Sequence, residues 1–225
     1  MKPTLVITTI LTSTTLCQAE VLARFTFNDN SAKSSDTSKY SSASTWDLSN
    51  SAEANTISEG TSKVHANQED EPAGISATNV DASDSEAQWQ QFKFIVQNLV
   101  AGETLTLTTF SYDYITTTPL NFESAVYSNL SGYSGIVDVI GGTSNTSDAG
   151  LQTATLSLSK PQFAGLTNGD VVEFRIYLKD GSKQLSRRIH QLDNISLEGR
   201  VVSVAESSTS ALIGLGENTL ILRHH

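Results

Sequence analysis

Alternation of apolar and polar side chains with a period of two runs through the chain from residue 21 onward. Val21, Ala23, Phe25 and Phe27 alternate with Leu22, Arg24 and Thr26, and Phe92, Phe94 and Val96 with Lys93 and Gln97. Ala154, Leu156 and Leu158 alternate with Thr153, Thr155 and Ser157, and Ile195, Leu197 and Val201 with Asn194, Ser196 and Arg200. The cleanest instance sets Val172, Phe174, Ile176 and Leu178 against Glu173, Arg175, Tyr177 and Lys179. Successive side chains of a strand point to opposite faces, so each segment predicts a strand with one face on a core. One strand changes phase: Leu105 and Leu107 occupy odd positions, Phe110, Tyr112 and Tyr114 even ones. An extra residue near Thr108-Thr109 returns both sets to one face, which predicts a β-bulge.

Turn signals punctuate these strands at Ala101-Gly102, Ser131-Gly132, Gly141-Gly142, Thr167 to Asp170 and Asp180-Gly181. Lys160 to Leu166 predicts a single helical turn, and no other stretch between the two ends carries a helical stripe. Many short strands with turn punctuation predict an all-β, jelly-roll-like β-sandwich over residues 20–202. A signal helix is expected before it and a short hydrophobic helix after it. Residues 28–63 are rich in Ser, Thr, Ala and Asn, with Tyr40 and Trp46 as the bulky exceptions. They predict a long, weakly ordered excursion with short strands around Trp46-Leu48 and Thr56-Ile57.

The two ends carry addresses. Lys2, the threonine-diluted apolar stretch Leu5 to Leu16 and the small residues Cys17 and Ala19 form a secretory signal, with cleavage expected between Ala19 and Glu20. At the other end Val204-Ala205-Glu206-Ser207-Ser208-Thr209 precedes the apolar run Ala211 to Leu222 and the ending Arg223-His224-His225. This order resembles the PEP-CTERM sorting tail, with Glu206, Ser207 and Ser208 in the motif and Ala205 and Ser207 standing where its prolines would be. The resemblance implies handling by an exosortase, transient membrane contact through residues 203–225, and a place at the cell surface, outer envelope or extracellular matrix, alongside exopolysaccharide. The strand Phe25 to Asp29, the unit from Phe92 to Leu107 and the closing strand Leu192 to Gly199 are similar to the variable ectodomains that precede such tails. That likeness implies a sandwich of the carbohydrate-binding or laminin-G-like kind and no particular ligand.

Charge narrows the partners. A net charge of −10 argues against a nucleic acid, whose phosphates draw clustered Lys and Arg. The single cysteine, Cys17, leaves with the signal, so thiol nucleophiles and thiolate metal sites are excluded from the mature chain.

Catalytic patterns are missing from the sequence. Of the four histidines, His224 and His225 are terminal, His65 is expected in a polar loop and His190 follows Arg187-Arg188 in a solvated loop. No Gly-x-Ser-x-Gly elbow, His-Glu-x-x-His helix or Gly-rich phosphate loop is present. Nor is there the Glu-x-Asp-x-x-Glu cluster of sandwich-fold glycanases. No catalytic residue is therefore named.

Two other constellations invite chemistry. Asp193 shares the parity of Ile195 and Leu197 and is expected to point inward, where a carboxylate needs hydrogen bonds or a cation. With Asp29 brought near by pairing of the first and last strands, the two are candidate oxygen ligands of a structural Ca2+. The alternative is a carboxylate that accepts loop N–H groups. Arg175 and Tyr177 share the outward face of one strand and Trp89 lies at the edge of another, the combination with which sugar-binding sandwiches stack and orient pyranose rings. Core or rim packing is the alternative for each. The expectation is an exported, non-catalytic sandwich with a glycan-binding or adhesive role. A purely structural matrix protein and a glycan-active enzyme of another kind are the alternatives.

Overall fold

A computed structural model describes residues 18–48, 56–58, 61–66, 89–116, 122–133, 136–145, 151–180 and 188–203. The signal segment up to Cys17 and the tail from residue 204 lie outside them. The strands are β1 (Glu20–Phe25), β2 (Ser41–Ala43), β3 (Thr56–Ser58), β4 (Thr61–Ala66), β5 (Trp89–Val96), β6 (Glu103–Thr116), β7 (Phe122–Ser128), β8 (Gly141–Asn145), β9 (Leu151–Ser157), β10 (Val171–Asp180) and β11 (Arg188–Ser203). They form two antiparallel sheets. One has the order β3-β4-β11-β6-β9, with β1 also paired to β11; the other runs β2-β5-β10-β7-β8. The last strand organises the first sheet: one edge of β11 pairs with β4 over Arg188–Leu192 and then with β1 over Ile195–Gly199. Its other edge pairs with β6. First and last strands thus lie side by side, as expected of a jelly-roll-like sandwich.

Two bulges tune which face each residue takes. Glu198 pairs with Thr109 and Gly199 with Leu107, so Thr108 is the extra residue in β6. This is the predicted bulge, and its effect is the predicted one: Leu105, Leu107, Phe110, Tyr112 and Tyr114 are all buried. The second bulge was not legible. Asp193 pairs with Asp113 and Ser196 with Ser111, leaving Asn194 extra in a left-handed conformation at φ 47°. Leu192, Ile195 and Leu197 therefore share the inner face. Asp193 turns outward beside Asp113, which corrects the inward orientation that parity predicts for it.

The core is aromatic. Phe92 and Phe174 from the five-stranded sheet meet Phe110 from the six-stranded sheet in a near-parallel stack. The ring centroids are 5.7 Å apart for Phe92–Phe174, 5.1 Å for Phe110–Phe174 and 6.2 Å for Phe92–Phe110, at interplanar angles of 9–17°. Phe163 joins from a 3-10 turn at Pro161–Phe163, inside the stretch expected to form one turn. A polar tie also crosses between sheets: Tyr112 Oη lies 2.5 Å from Ser124 Oγ, which is 2.8 Å from Thr143 Oγ1. Burial pushes the Tyr112 phenol up from its ordinary pKa, so it stays protonated.

Several loop expectations change. Trp46, in the polar stretch, is only 3% exposed; it stacks on Phe92 and donates its indole N–H to Gln90 Oε1 at 2.8 Å. A lone tryptophan among Ser and Thr shows no periodicity, so its anchoring was invisible to the pattern. His65 lies in β4 opposite Ile189, and Arg188 to His190 begin β11, so neither segment is a loop. Gly141-Gly142 opens a strand instead of making a turn. A Cβ at Gly142 would sit 1.9 Å from the Ser124 carbonyl oxygen, so glycine permits the close approach of β8 to β7. The turns at Ala101-Gly102 and Thr167 to Asp170 are present, with Gly102 at φ 81° and Gly169 at φ 92°.

Because Phe174 contacts three other phenyl rings, Phe174→Ala is expected to cost about 3–5 kcal/mol. Equilibrium urea denaturation measures this; a loss below about 1 kcal/mol would mean that the stack does not hold the sheets together.

Candidate functional site

The inward phase of Phe92, Phe94, Phe174 and Ile176 sends their neighbours to the outer face of the five-stranded sheet. Register sets them in rows: Trp89 opposite Tyr177, Gln91 opposite Arg175, and Lys93 opposite Glu173. On the far side of β10, Tyr177 faces Ala125 and Arg175 faces Tyr127. The structure thus brings together all three sequence-predicted glycan candidates, Trp89, Arg175 and Tyr177.

Glu173 is the electrostatic centre. It is 8% exposed, and its carboxylate accepts hydrogen bonds from Arg175 Nε at 2.7 Å, Tyr133 Oη at 2.9 Å and Lys93 Nζ at 2.9 Å. Asn129, just past β7, accepts the Glu173 backbone N–H and donates its amide to the Val171 carbonyl. These bonds fasten the 129–133 turn against the edge of β10. Burial works against a charge at Glu173, but the donors from Lys93, Tyr133 and Arg175 outweigh it and hold the carboxyl below its ordinary range. Burial, together with donation to that carboxylate, pushes the Tyr133 phenol far up.

Arg175 lies close to two rings. Its guanidinium carbon lies 4.6 Å from the Trp89 ring centroid and 3.9 Å from that of Tyr133. Such cation–π contacts are worth about 0.5–2 kcal/mol each, more where water is excluded. Beneath them, Tyr177 packs against Trp89 at 5.3 Å and Tyr127 at 5.2 Å between centroids. Ala125, Tyr127 and Tyr177 make a second buried cluster, with Trp89, Tyr133 and Val139 packed on it. The alternation in β10 therefore separates two packed layers, and its outer one is not simply solvated. Tyr177 is 1% exposed, and its hydroxyl is buried beside the Arg175 side chain. Burial raises its pKa, while hydrogen bonding from Arg175 and the Arg175 charge oppose that rise.

Sequence reasoning did not find Glu173, Lys93, Asn129 or Tyr133 as members of this site. Lys93 and Glu173 carried a signal, since their parity places them on the same face as Gln91 and Arg175. Tyr133 lies in a Ser/Gly-rich turn with no period and carried none.

The predicted metal candidates, Asp193 and Asp29, lie on β11 and in the turn after β1. Asp193 Oδ1 accepts its neighbour's backbone N–H at 2.7 Å, and the Asn194 amide donates to Asp113 Oδ2 at 2.9 Å and Asp193 Oδ2 at 3.3 Å. Thr153 donates to the other Asp113 oxygen at 2.6 Å. Asp29 lies in the left-handed 3-10 turn Asn28–Asn30, outside this hydrogen-bonded group. Among the described residues no group of three or more His, Cys, Asp or Glu side chains is placed to hold a metal. Burial raises the Asp193 pKa, the Asn194 N–H opposes this, and the Asp113 charge adds to it. The sorting-motif residues Glu206, Ser207 and Ser208 lie outside the described residues.

No family model matches the chain and no curated protein does. Among solved structures it is similar to a CBM4 structure at 16% identity, covering 72% of this chain and 95% of that one, with a TM-score of 0.31. The N-terminal cellulose-binding domain of a Cellulomonas fimi β-1,4-glucanase matches at 16% identity over 76% of this chain and 93% of that one, TM-score 0.31. The adhesin domain of Lys-gingipain from Porphyromonas gingivalis matches at 11% identity over 81% and 98%, TM-score 0.30. Superpositions this loose carry no functional argument, which is left to the residues themselves.

The two carboxylates respond to pH with opposite signs. Glu173 has a folded pKa below its unfolded value, so its contribution is present at neutral pH and is lost as pH falls through the folded value. Glu173→Gln is expected to lower stability at pH 7 by about 1–3 kcal/mol, with the gap to wild type closing below about pH 4. Asp193 has a raised folded pKa, so its contribution is present in acid and is lost as pH rises through that value. Asp193→Asn is expected to raise the melting temperature at pH 7 and to leave it unchanged in acid. Differential scanning fluorimetry across pH reads both; a gap that does not vary with pH would refute the assignment for that residue.

Proposed function

We propose that the chain is an exported, non-catalytic β-sandwich that binds glycan, or adheres through it, with the outer face of its five-stranded sheet. The observation that carries this reading is the convergence of Trp89, Arg175 and Tyr177 on that face, with Tyr133 closing over them. Pyranose rings present flat C–H faces rimmed by hydroxyls. They are recognised by planar aromatic surface flanked by fixed hydrogen-bonding groups. Here the planar groups are held by one another and by Glu173, so little side-chain entropy remains to be lost on binding.

A glycosidase's general acid carries a raised pKa, whereas the Glu173 carboxylate is lowered and accepts three donors, so it does not fit that one role. Export through the N-terminal signal, processing of the C-terminal tail by an exosortase and a place at the envelope or matrix complete the proposal. They rest on the sequence of the two ends. The burial of Tyr177 and Glu173 favours a second reading, a structural surface protein in which this cluster is packing only.

Retention on immobilised polysaccharides separates the two. The wild-type chain is expected to be retained, and Trp89→Ala to lose about tenfold or more in affinity while keeping its circular dichroism spectrum. No retention of the wild type would leave only the packing reading, and equal retention of both proteins would move binding off this face. Mass spectrometry of the native protein tests the addresses: a mature N-terminus at Glu20 and absence of Arg223-His224-His225 are expected.

A further inference from the structure

The sequence contains one Asn-Gly step, Asn168-Gly169, at the centre of the turn Thr167 to Asp170. The Asp170 N–H returns to the Thr167 carbonyl at 3.1 Å and Gly169 takes φ 92°, so glycine fills the left-handed corner of a β-turn. The Asp170 carboxylate accepts the Thr167 N–H at 2.7 Å and its hydroxyl at 3.1 Å. Asn168 and Gly169 are both exposed.

An Asn-Gly step can modify itself. The glycine nitrogen, once it loses its proton, attacks Cγ of the asparagine, and no Cβ obstructs the approach. The N–Cγ bond forms, the Cγ–Nδ2 bond breaks and ammonia leaves, which closes a five-membered succinimide. Water then opens the ring at either carbonyl. Opening at Cγ gives aspartate. Opening at the backbone carbonyl gives isoaspartate, in which the chain runs through the former side chain. The sum is amide plus water going to carboxylate plus ammonium.

Here both reacting groups are held. The Gly169 N–H donates to the Val96 carbonyl at 2.8 Å. Asn168 Oδ1 accepts the Leu99 N–H at 2.9 Å, and Asn168 Nδ2 donates to the Leu99 carbonyl at 2.8 Å. The Val96 N–H donates to the Asp170 carbonyl at 2.9 Å. These bonds seat the turn on residues 96–99. While they stand, the nucleophile's proton is engaged and the carboxamide is turned to Leu99. Exposure marks the step as labile; the hydrogen bonds close it.

The geometry points to Asn168 as a self-modification site gated by the fold. Ring closure waits until the turn lifts off Val96 and Leu99, and the product does not reseat. Aspartate or isoaspartate lacks the Nδ2 donor, so the Leu99 carbonyl loses its partner and meets a new negative charge. Isoaspartate also lengthens the backbone of a four-residue turn. The loss falls on the strands of the outer face, since the seat lies three residues from Lys93 on β5 and from Glu173 on β10.

Peptide mapping by mass spectrometry tests this on the full-length protein aged in mildly alkaline buffer, folded or unfolded in guanidinium chloride. Modification at Asn168 is expected to run about tenfold or more slower in the folded protein. Asp170→Ala, which loosens the turn and leaves the reacting groups in place, is expected to speed the folded rate several-fold and leave the unfolded rate unchanged. The modified protein, separated by anion exchange through its added charge, is expected to melt at a lower temperature than fresh protein. Equal rates in folded and unfolded chains, or an unchanged rate in folded Asp170→Ala, would overturn the gating. No modification in the unfolded chain would overturn the site itself. An unaltered melting temperature after modification would mean that the turn reseats, against the inference.

Discussion

The near-parallel stack of Phe92, Phe174 and Phe110 joins the two sheets at their centre, and the rest of the molecule is arranged around keeping those three rings on inner faces. Two rings come from neighbouring strands of one sheet and the third from the other, so the contact bridges both layers. A one-residue slip in any strand would turn its ring to the outside. The bulge at Thr108 answers this directly. Leu105 and Leu107 would otherwise hold the inner face at the expense of Phe110, Tyr112 and Tyr114. The 3-10 turn bearing Phe163 and the polar loop bearing Trp46 then dock onto the stack from outside the ladders.

The same constraint builds the candidate site. Because a strand has two faces, fixing Phe92 and Phe174 inward fixes Lys93, Gln91, Glu173 and Arg175 outward. Antiparallel register then places Lys93 against Glu173 and Trp89 against Tyr177. Core and site are opposite faces of the same two strands. The outer face is held by a different physics from the inner one: a carboxylate with three donors and a guanidinium between two rings. Its rigidity comes from mutual support, since Glu173 orients Arg175 and Tyr133, and both rings confine the guanidinium.

The outer face of the other sheet shows how one inserted residue redirects chemistry. Without Asn194, Asp193 would follow the parity of Ile195 and Leu197 into the core. With it, Asp193 emerges beside Asp113 and shares the Asn194 amide with it. The two carboxylates repel, and that repulsion contributes to the raised pKa of Asp193. The adjacency of first and last strands was foreseen, and the carboxylate found beside Asp193 is Asp113 on β6.

The sequence by itself determined the all-β class, the inner and outer faces of the strongest strands, the bulge near Thr108 and the turns at Ala101-Gly102 and Thr167 to Asp170. It also singled out Trp89, Arg175 and Tyr177. These follow from local periodicity and turn chemistry, which a short window of residues encodes. Only the tertiary structure decided the rest: that Trp89 stands opposite Tyr177, that Tyr133 closes over Arg175, that Trp46 belongs to the core, that His65 pairs with β11, and that Asp193 faces outward. Period two says which face a residue takes but not which strand lies beside it. Pairing, register and the docking of aperiodic loops are set by contacts between residues distant in the chain, where no local pattern records them.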